Sequence, residues 1–500
     1  MGAATRGRRG ILVALALLAA VLAGCEGARL ARPRAAASNP TRVENGRPGT
    51  PDWELTAPAT AREIEGYASA TSVERGAPID LYVSTSEPAY TVDVFRMGWY
   101  DGAGARRVAG PIVRPGRSQP MPPPDPATGL VECRWTDPYR LRTADADGPW
   151  PSGVYLARLT ARPSGRQAYA VFVVRDDARR AALLFQSSVT TFAAYNNWGG
   201  RSLYAFNSAG APARAVSFDR PYATNPYGVP LDGAGDFLRR FEYNAVRWLE
   251  REGYDVAYAT DVDTHRHADL LPRHRVFLSV GHDEYWTWEM RDHVEAARDH
   301  GTHLAFLGAN ASFWQIRLEP NAAGAPDRTI VGYKADAAAD PVAADPARAR
   351  RVTGHWRDAP TARPEAAMIG VMYVADPVDA DVVVDDAAHW AFAGTGLARG
   401  GVLPGLLGYE VDAVAPASPP GLVRLAHSPF ALPSGESGYA DMTLYRAPSG
   451  ALVFATGSMY WNWGLDGYNA PRLHSERVSA AAQRITRNVL GRMLEGPARE

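Results

Sequence analysis

The sequence predicts a mixed fold, α/β plus all-β: an N-terminal antiparallel β-sandwich followed by a mostly parallel α/β domain. Three observations carry this. Between residues 64 and 174 the apolar side chains come in short alternating runs, at 79–83, 90–95, 154–159 and 169–174, separated by Gly and Pro turns. Alternation at period two with almost no helical pattern between runs is the mark of a sandwich. From Ala182 onward, continuous apolar runs alternate with helical periodicity instead, which is the rhythm of βαβ units. The third observation is residues 276–314, where strand, helix and strand follow one another in a single stretch.

The elements in order begin with Arg6, Arg8 and Arg9 ahead of an apolar run at 11–23, too short to span a bilayer and laid out as a secretory signal. It ends Leu22-Ala23-Gly24-Cys25, which resembles a bacterial lipobox. Cys25 is therefore the expected lipidation site, and the expected location is the cell envelope, lipid-anchored to the membrane and facing outside the cytoplasm. Residues 1–24 are read as the signal peptide and 25–56, rich in Ala, Arg, Pro and Gly, as a flexible tether. The sandwich takes 57–175, with a proline-rich loop at 111–126. The α/β domain takes 176–495. In it a helix is expected over 237–252, an Ala/Asp/Pro-rich excursion over 321–364, and a last helix near 475–494. With Cys25 acylated, Cys133 is the only remaining thiol, so no internal disulfide forms.

Composition excludes several classes. A net charge of -1 without a basic stripe gives no footprint for nucleic acid. There is no Gly-Lys-Ser/Thr phosphate loop, no Gly-x-Ser-x-Gly elbow, no His-Glu-x-x-His and no Cys-x-x-Cys.

Chemistry is expected at 276–314. The apolar run 276–280 ends at Gly281 in His282-Asp283-Glu284, and the run 303–307 ends in Gly308-Ala309-Asn310. In open α/β sheets the ligand crevice lies outside the carboxyl ends of the strands, so these polar residues share one crevice. Two acids and an imidazole there are costly to desolvate unless they bind a cation or a substrate. A bland reading exists for Asp283 and Glu284, as helix N-terminal residues favoured by the dipole. The aromatic segment 190–204, Glu410, and Trp461-Asn462-Trp463 are candidates for lining the same crevice. Tyr155 by itself reads as a core tyrosine, and His265-x-His267 as a solvated loop.

The combination Ser152-Gly153-Val154-Tyr155, Ala194-Tyr195-Asn196, Tyr254-Asp255-Val256 with Thr260-Asp261, Gly281-His282-Asp283-Glu284-Tyr285-Trp286 and Gly308-Ala309-Asn310 resembles the C-terminal region of the large (beta) subunit of N,N-dimethylformamidase, over residues 60–490. The resemblance implies a class I glutamine-amidotransferase-like α/β fold. It also implies an iron(III) held by two tyrosines and a glutamate, carried over here as metal ligands Tyr155, Tyr195 and Glu284, with Tyr204 in reserve for either tyrosine. His282, Asn310 and Glu410 are the implied catalytic residues. The implied activity is metal-dependent hydrolysis of a small amide, with a small-subunit partner or an oligomer left open. The family's pattern does not include a lipobox, which makes formamide itself a poor guess for the substrate. The alternative is a non-catalytic surface lipoprotein whose aromatic loops bind carbohydrate or cell-wall material. A third option uses Asp283, Glu284 or Glu410 as paired acids on sugars.

Overall fold

Strand alternation sets the first half of the chain. In Pro78–Thr85, Ile79, Leu81 and Val83 are buried while Asp80 and Tyr82 are partly exposed, so one face of the strand turns inward. That strand lies between Ile64–Ala68 and Tyr139–Arg142 in a three-stranded sheet. Facing it is a five-stranded sheet in the order Ser72–Glu74, Gln167–Arg175, Gly153–Arg162, Ala89–Met97, Ala105–Pro115. Ile79, Leu81, Val92, Val94, Leu159 and Phe172 fill the space between them. All pairings are antiparallel except that of Ser72–Glu74 with Gln167–Arg175. The proline-rich segment departs from expectation at its start, because Pro111 to Pro115 complete the last strand of the larger sheet. An edge strand tolerates proline, whose missing N–H faces no neighbour.

The computed structural model describes residues 1–2, 39–223 and 232–495. The signal peptide, Cys25 and residues 25–38 of the tether lie outside the described residues apart from Met1 and Gly2. The rest of the expected tether is not loose. Pro40–Asn45 is a helix, where Thr41 Oγ1 donates to Val256 O (3.1 Å) and Glu44 accepts from the Tyr100 hydroxyl (2.8 Å) and Arg106 Nε (2.6 Å). Trp53, 3% exposed, donates from Nε1 to Ala103 O. Burying Trp53 and satisfying these polar groups offsets the ordering entropy that composition alone leaves uncompensated. Among the described residues no helix is long and apolar enough to cross a membrane.

The second half is built on a seven-stranded sheet in the order Val256–Thr260, Leu183–Ser187, Val276–His282, His303–Ala309, Leu452–Ala455, Ser437–Arg446, Val423–Ala431. The first five strands run parallel, and Ser437–Arg446 pairs antiparallel with the neighbour on each side. Val276–His282 is buried at every position, as befits a strand covered on both faces. Numbered along the chain, the parallel strands stand in the order 2-1-3-4-5, so the switch point falls between Leu183–Ser187 and Val276–His282. The helix Trp288–Asp299 starts at an N-cap that its sequence supplies, Thr287 accepting from Met290 N, and it buries Met290, Val294 and Ala297.

Two structures were not anticipated. A four-stranded sheet joins Ala215–Ser217, Thr329–Val331, Trp314–Glu319 and Tyr285–Thr287, and it passes through the region read as an irregular excursion. Met372–Val383 and Val402–Ala413 form a long antiparallel pair. The latter strand is fastened to the turn after Leu452–Ala455: Asp412 N donates to Gly457 O, Gly408 N to Ser458 Oγ and Tyr460 N to Gly408 O. Residues from Pro40 onward form one compact unit. Across it Arg96 of the sandwich pairs with Glu250 of the helix Glu242–Arg251, and Tyr243 donates to Gly104 O.

Candidate active site

The site forms where the two switch-point strands end. Gly281 sits at φ +68°, and a Cβ there would lie 2.6 Å from Phe241 Cβ, so only glycine permits the turn that follows Val280. Asp283 then points back under the sheet, accepting from Ser279 Oγ (2.8 Å), Gln186 Nε2 (2.7 Å) and Trp286 Nε1 (2.8 Å). With Thr287 capping the helix, Asp283 is a hub that fixes the turn and neither a cap nor a crevice residue. Fixing Asp283 inward sends the flanking His282 and Glu284 the other way.

Glu284 is the centre of the crevice. Its Oε2 accepts from the Tyr195 hydroxyl at 2.9 Å, and both its oxygens lie 3.0 Å from the Tyr204 hydroxyl, which in turn accepts from Tyr285 at 2.5 Å. Tyr195 ends the helix Val189–Tyr195 that leaves Leu183–Ser187, and its ring stacks on Tyr204 at 4.3 Å. Burial, then the charge of Glu284, holds the Tyr195 and Tyr204 phenols well above the ordinary range. Burial also opposes the Glu284 carboxylate, but His282, Lys334 and the Tyr195 hydroxyl outweigh it and keep Glu284 below its usual value.

His282 Nε2 stands 3.1 Å from Glu284 and 3.4 Å from Glu410, yet neither ring nitrogen meets hydrogen-bond geometry with any partner. Burial lowers the imidazolium's affinity for its proton, and Glu410 and Glu284 more than restore it. Glu410 is pushed up to about 7 by burial. Asn310, at φ +54°, donates from Nδ2 to Glu410 Oε2 (2.6 Å) and from its backbone N to Asp412 Oδ1 (2.8 Å), while its Oδ1 has no partner. Burial likewise pushes Asp412 up to about 7.

Tyr195, Glu284, His282, Asn310 and Glu410 are thus brought together, and Tyr204 joins them. Tyr155 is not. It is fully buried in the sandwich, stacked between Trp150 (5.5 Å) and Phe172 (5.6 Å), and its hydroxyl donates to Pro151 O at 2.6 Å. Strand pairing seats Tyr155 opposite Phe172 in the core, so it does not meet Glu284, whereas the reserve tyrosine Tyr204 does. His265 lies in the helix Asp261–Arg266, its Nδ1 2.9 Å from Thr287 Oγ1, away from this cluster. Cys25 lies outside the described residues. Among the described residues no group of three His, Cys, Asp or Glu side chains is arranged to hold a metal.

Two participants were missed from sequence. Tyr285 follows Glu284 directly, and its sequence motif assigns it no role of its own. Lys334 has its Nζ 3.0 Å from the centroid of the Tyr204 ring and donates to Leu203 O, and burial lowers its amine to about 7. A signal for it was present: it is the only lysine in a chain of 53 Lys and Arg residues. The aromatic loops are less open than their sequence implies. Trp463 is stacked between Tyr460 (4.2 Å) and His474 (4.1 Å), and Trp198 is buried with its Nε1 bonded to Glu65.

Phenols, carboxylates and an imidazole gather where the parallel strand order reverses, which is where α/β folds place their ligands. The chain belongs to the family described as N,N-dimethylformamidase beta subunit-like, C-terminal, which matches residues 91–475. It is 32% identical over 80 residues to the N,N-dimethylformamidase beta subunit of Paracoccus aminophilus, covering 16% of this chain and 10% of that one. To the N,N-dimethylformamidase beta subunit of an Alcaligenes species it is 31% identical over 80 residues, with the same coverage. The aligned stretch spans about a tenth of the length of these relatives, which are each named as one subunit of an enzyme. Among solved structures, the sulfur carrier protein SoxY from Chlorobium limicola f thiosulfatophilum covers 24% of this chain and 82% of its own at 17% identity, with a TM-score of 0.13, too low to carry an argument.

Proposed function

We propose that this chain hydrolyses the C–N bond of a small amide in this crevice, with iron(III) held by Tyr195, Tyr204 and Glu284. The observation that carries the reading is the convergence of both tyrosine hydroxyls on one buried carboxylate. Three oxygen donors suit a hard cation, and the phenols, held above their ordinary range, ionise only beside a strong positive charge. When bound, iron(III) polarises an amide carbonyl and acidifies water.

The chain's own groups handle the proton and the orientation. His282, its Nε2 facing Glu284 and Glu410 and its Nδ1 without a hydrogen-bond partner, carries the proton released by water to the departing nitrogen. The water oxygen bonds the carbonyl carbon, the C–N bond breaks, and the products are a carboxylic acid and an amine. Glu410 exchanges the proton with His282, and Asn310 Oδ1, free of other partners, accepts from the substrate's N–H or from water. Asp283, Thr287 and the Gly281 turn hold the two reacting side chains on the open side.

The finer elements belong to the same proposal. Kinship of the fold with class I glutamine amidotransferases draws support from the 2-1-3-4-5 order of parallel strands and the sharp turn at Gly281, although no cysteine occupies that turn. Anchoring at the bacterial envelope through Cys25 draws support from the arginines, the short apolar run and the lipobox. A small-subunit partner draws support from the names of the relatives. The carbohydrate-binding alternative needs free ring faces, and those of Trp463 are occupied.

The test is metal content, visible spectrum and amine release from a panel of small amides, including N,N-dimethylformamide, for the wild type and Tyr204→Phe. Stoichiometric iron, a tyrosinate charge-transfer band that Tyr204→Phe weakens, and amine release are expected. Iron-free protein from iron-replete cells, with no such band, overturns the metal assignment; release of amine from no amide overturns the reaction.

A further inference from the structure

We infer that Asp412, which touches none of the reacting groups, is a positioning residue that sets Asn310 and, through it, Glu410. The inference rests on the reading of the crevice as an amidase site. Asn310 adopts φ +54°, a left-handed conformation that L-residues rarely hold without local support. The bond to its own backbone N–H comes from Asp412, whose Oδ1 accepts at 2.8 Å. In that conformation the Asn310 amide reaches Glu410 Oε2 at 2.6 Å, and Glu410 stands 3.4 Å from His282 Nε2. The chain of contacts runs from Asp412 to Asn310, Glu410 and His282.

Asp412 is well suited to this. Only 2% exposed, it sits two residues from Glu410 on the Val402–Ala413 strand, so both side chains leave the same face of that strand. Its own place is set by backbone contacts, because Asp412 N donates to Gly457 O and Tyr373 is its partner across the strand pair. The strand therefore presents two carboxylates to one asparagine: Glu410 takes the side-chain amide and Asp412 the backbone N–H. Both nitrogens of Asn310 are thereby engaged, and its Oδ1 is left without a partner. Should Asp412 fail to accept, the buried Asn310 N–H is left without its partner, and relief of that cost would turn the residue out of the left-handed region and swing the amide off Glu410.

Hydrogen-bond acceptance and charge at Asp412 can be removed separately. Asp412→Asn keeps an acceptor oxygen at the same place, and Asp412→Ala removes it. On the full chain, with an amide that the wild type hydrolyses, Asp412→Ala is expected to lower kcat about 10- to 100-fold, the scale of a small misplacement of a reacting group. KM should stay within about twofold, and Asp412→Asn should stay within about threefold of wild type in kcat. Crystal structures supply a readout independent of activity: in Asp412→Ala the Asn310 φ leaves the left-handed region and the contact with Glu410 opens, whereas in Asp412→Asn both persist. If Asp412→Ala does not accumulate, Asp412→Ser carries the same expectations, since its hydroxyl is too short to reach the Asn310 N–H. Asn310 unmoved without the Asp412 acceptor overturns the inference, as does a loss in Asp412→Asn equal to that in Asp412→Ala. A wild type that hydrolyses no amide overturns the proposed reaction alone, and the crystal structures still decide the role of Asp412.

Discussion

Replacing Arg96 by alanine tests the seam on which the site rests. Arg96 and Glu250 are 1% and 0% exposed, and their closest approach is 2.7 Å. The guanidinium also donates to Ser152 O, Met97 O and the Tyr100 hydroxyl, so its charge is fully satisfied. Glu250 keeps only Asn45 Nδ2 (2.7 Å) and the Tyr258 hydroxyl (2.8 Å) once the arginine is gone. Removing one partner of a buried ion pair leaves an uncompensated charge and costs about 3–5 kcal/mol, whereas replacing both by apolar groups of similar volume is close to neutral. Urea unfolding of the wild type, Arg96→Ala and the double variant Arg96→Met, Glu250→Leu should therefore rank the single variant far below the other two. The effect reaches the crevice because Glu250 and Glu242 share one helix, and Glu242 accepts from Ser187 Oγ and Ser188 N (both 2.7 Å) just ahead of the segment that carries Tyr195. A loss under about 1 kcal/mol for Arg96→Ala, or a double variant as unstable as the single one, would refute the reasoning.

Three further outcomes are expected. Burial raises Glu242 from 4.5 to about 8, so the stability it contributes is fully present below about pH 4.5 and is lost as the pH rises through about 8. Thermal unfolding between pH 5 and pH 8 should show that loss in the wild type and a smaller one in Glu242→Gln, with a difference on the order of a few kcal/mol; identical pH dependence of the two would count against it. Gly281→Ala forces a Cβ to 2.6 Å from Phe241 and a side chain onto φ +68°, so it should lose about 1–3 kcal/mol and most amide turnover, read by denaturation and amine release. Tyr155→Phe should cost about 1 kcal/mol for its hydrogen bond to Pro151 and leave iron content and colour unchanged, whereas Tyr204→Phe alters both; a spectral change in Tyr155→Phe would restore the discarded ligand.

Much of the site was legible locally. His282 and Glu284 follow a strand whose continuous apolar run announces burial, and Asn310 ends the next one, so chain order and strand direction suffice to place them together. Tyr155 misled because a motif match says nothing about which face of a strand a residue occupies within a packed sandwich. Lys334 and the sheet through Thr329–Val331 were illegible in an Ala/Asp/Pro-rich segment whose order comes from contacts such as Arg317 with Asp340 and Thr353 with Asp340, not from its own periodicity. The fastening of residues 40–56 was hidden for the same reason.

By itself the sequence determined what depends on neighbours along the chain. That covers the strand runs, the Thr287 cap, the glycine turn at 281 and the pairing of an imidazole with two acids behind it. Tertiary structure alone decided which groups gather around Glu284 and His282, because the Tyr204 hydroxyl reaches Glu284 from a loop and Glu410 reaches His282 from a strand pair whose place is set by long-range hydrogen bonds. It also decided that Asp283 turns inward while Glu284 turns outward. Two adjacent acids are chemically alike in sequence, and only the donors of Ser279, Gln186 and Trp286 on one side and the phenols on the other tell them apart.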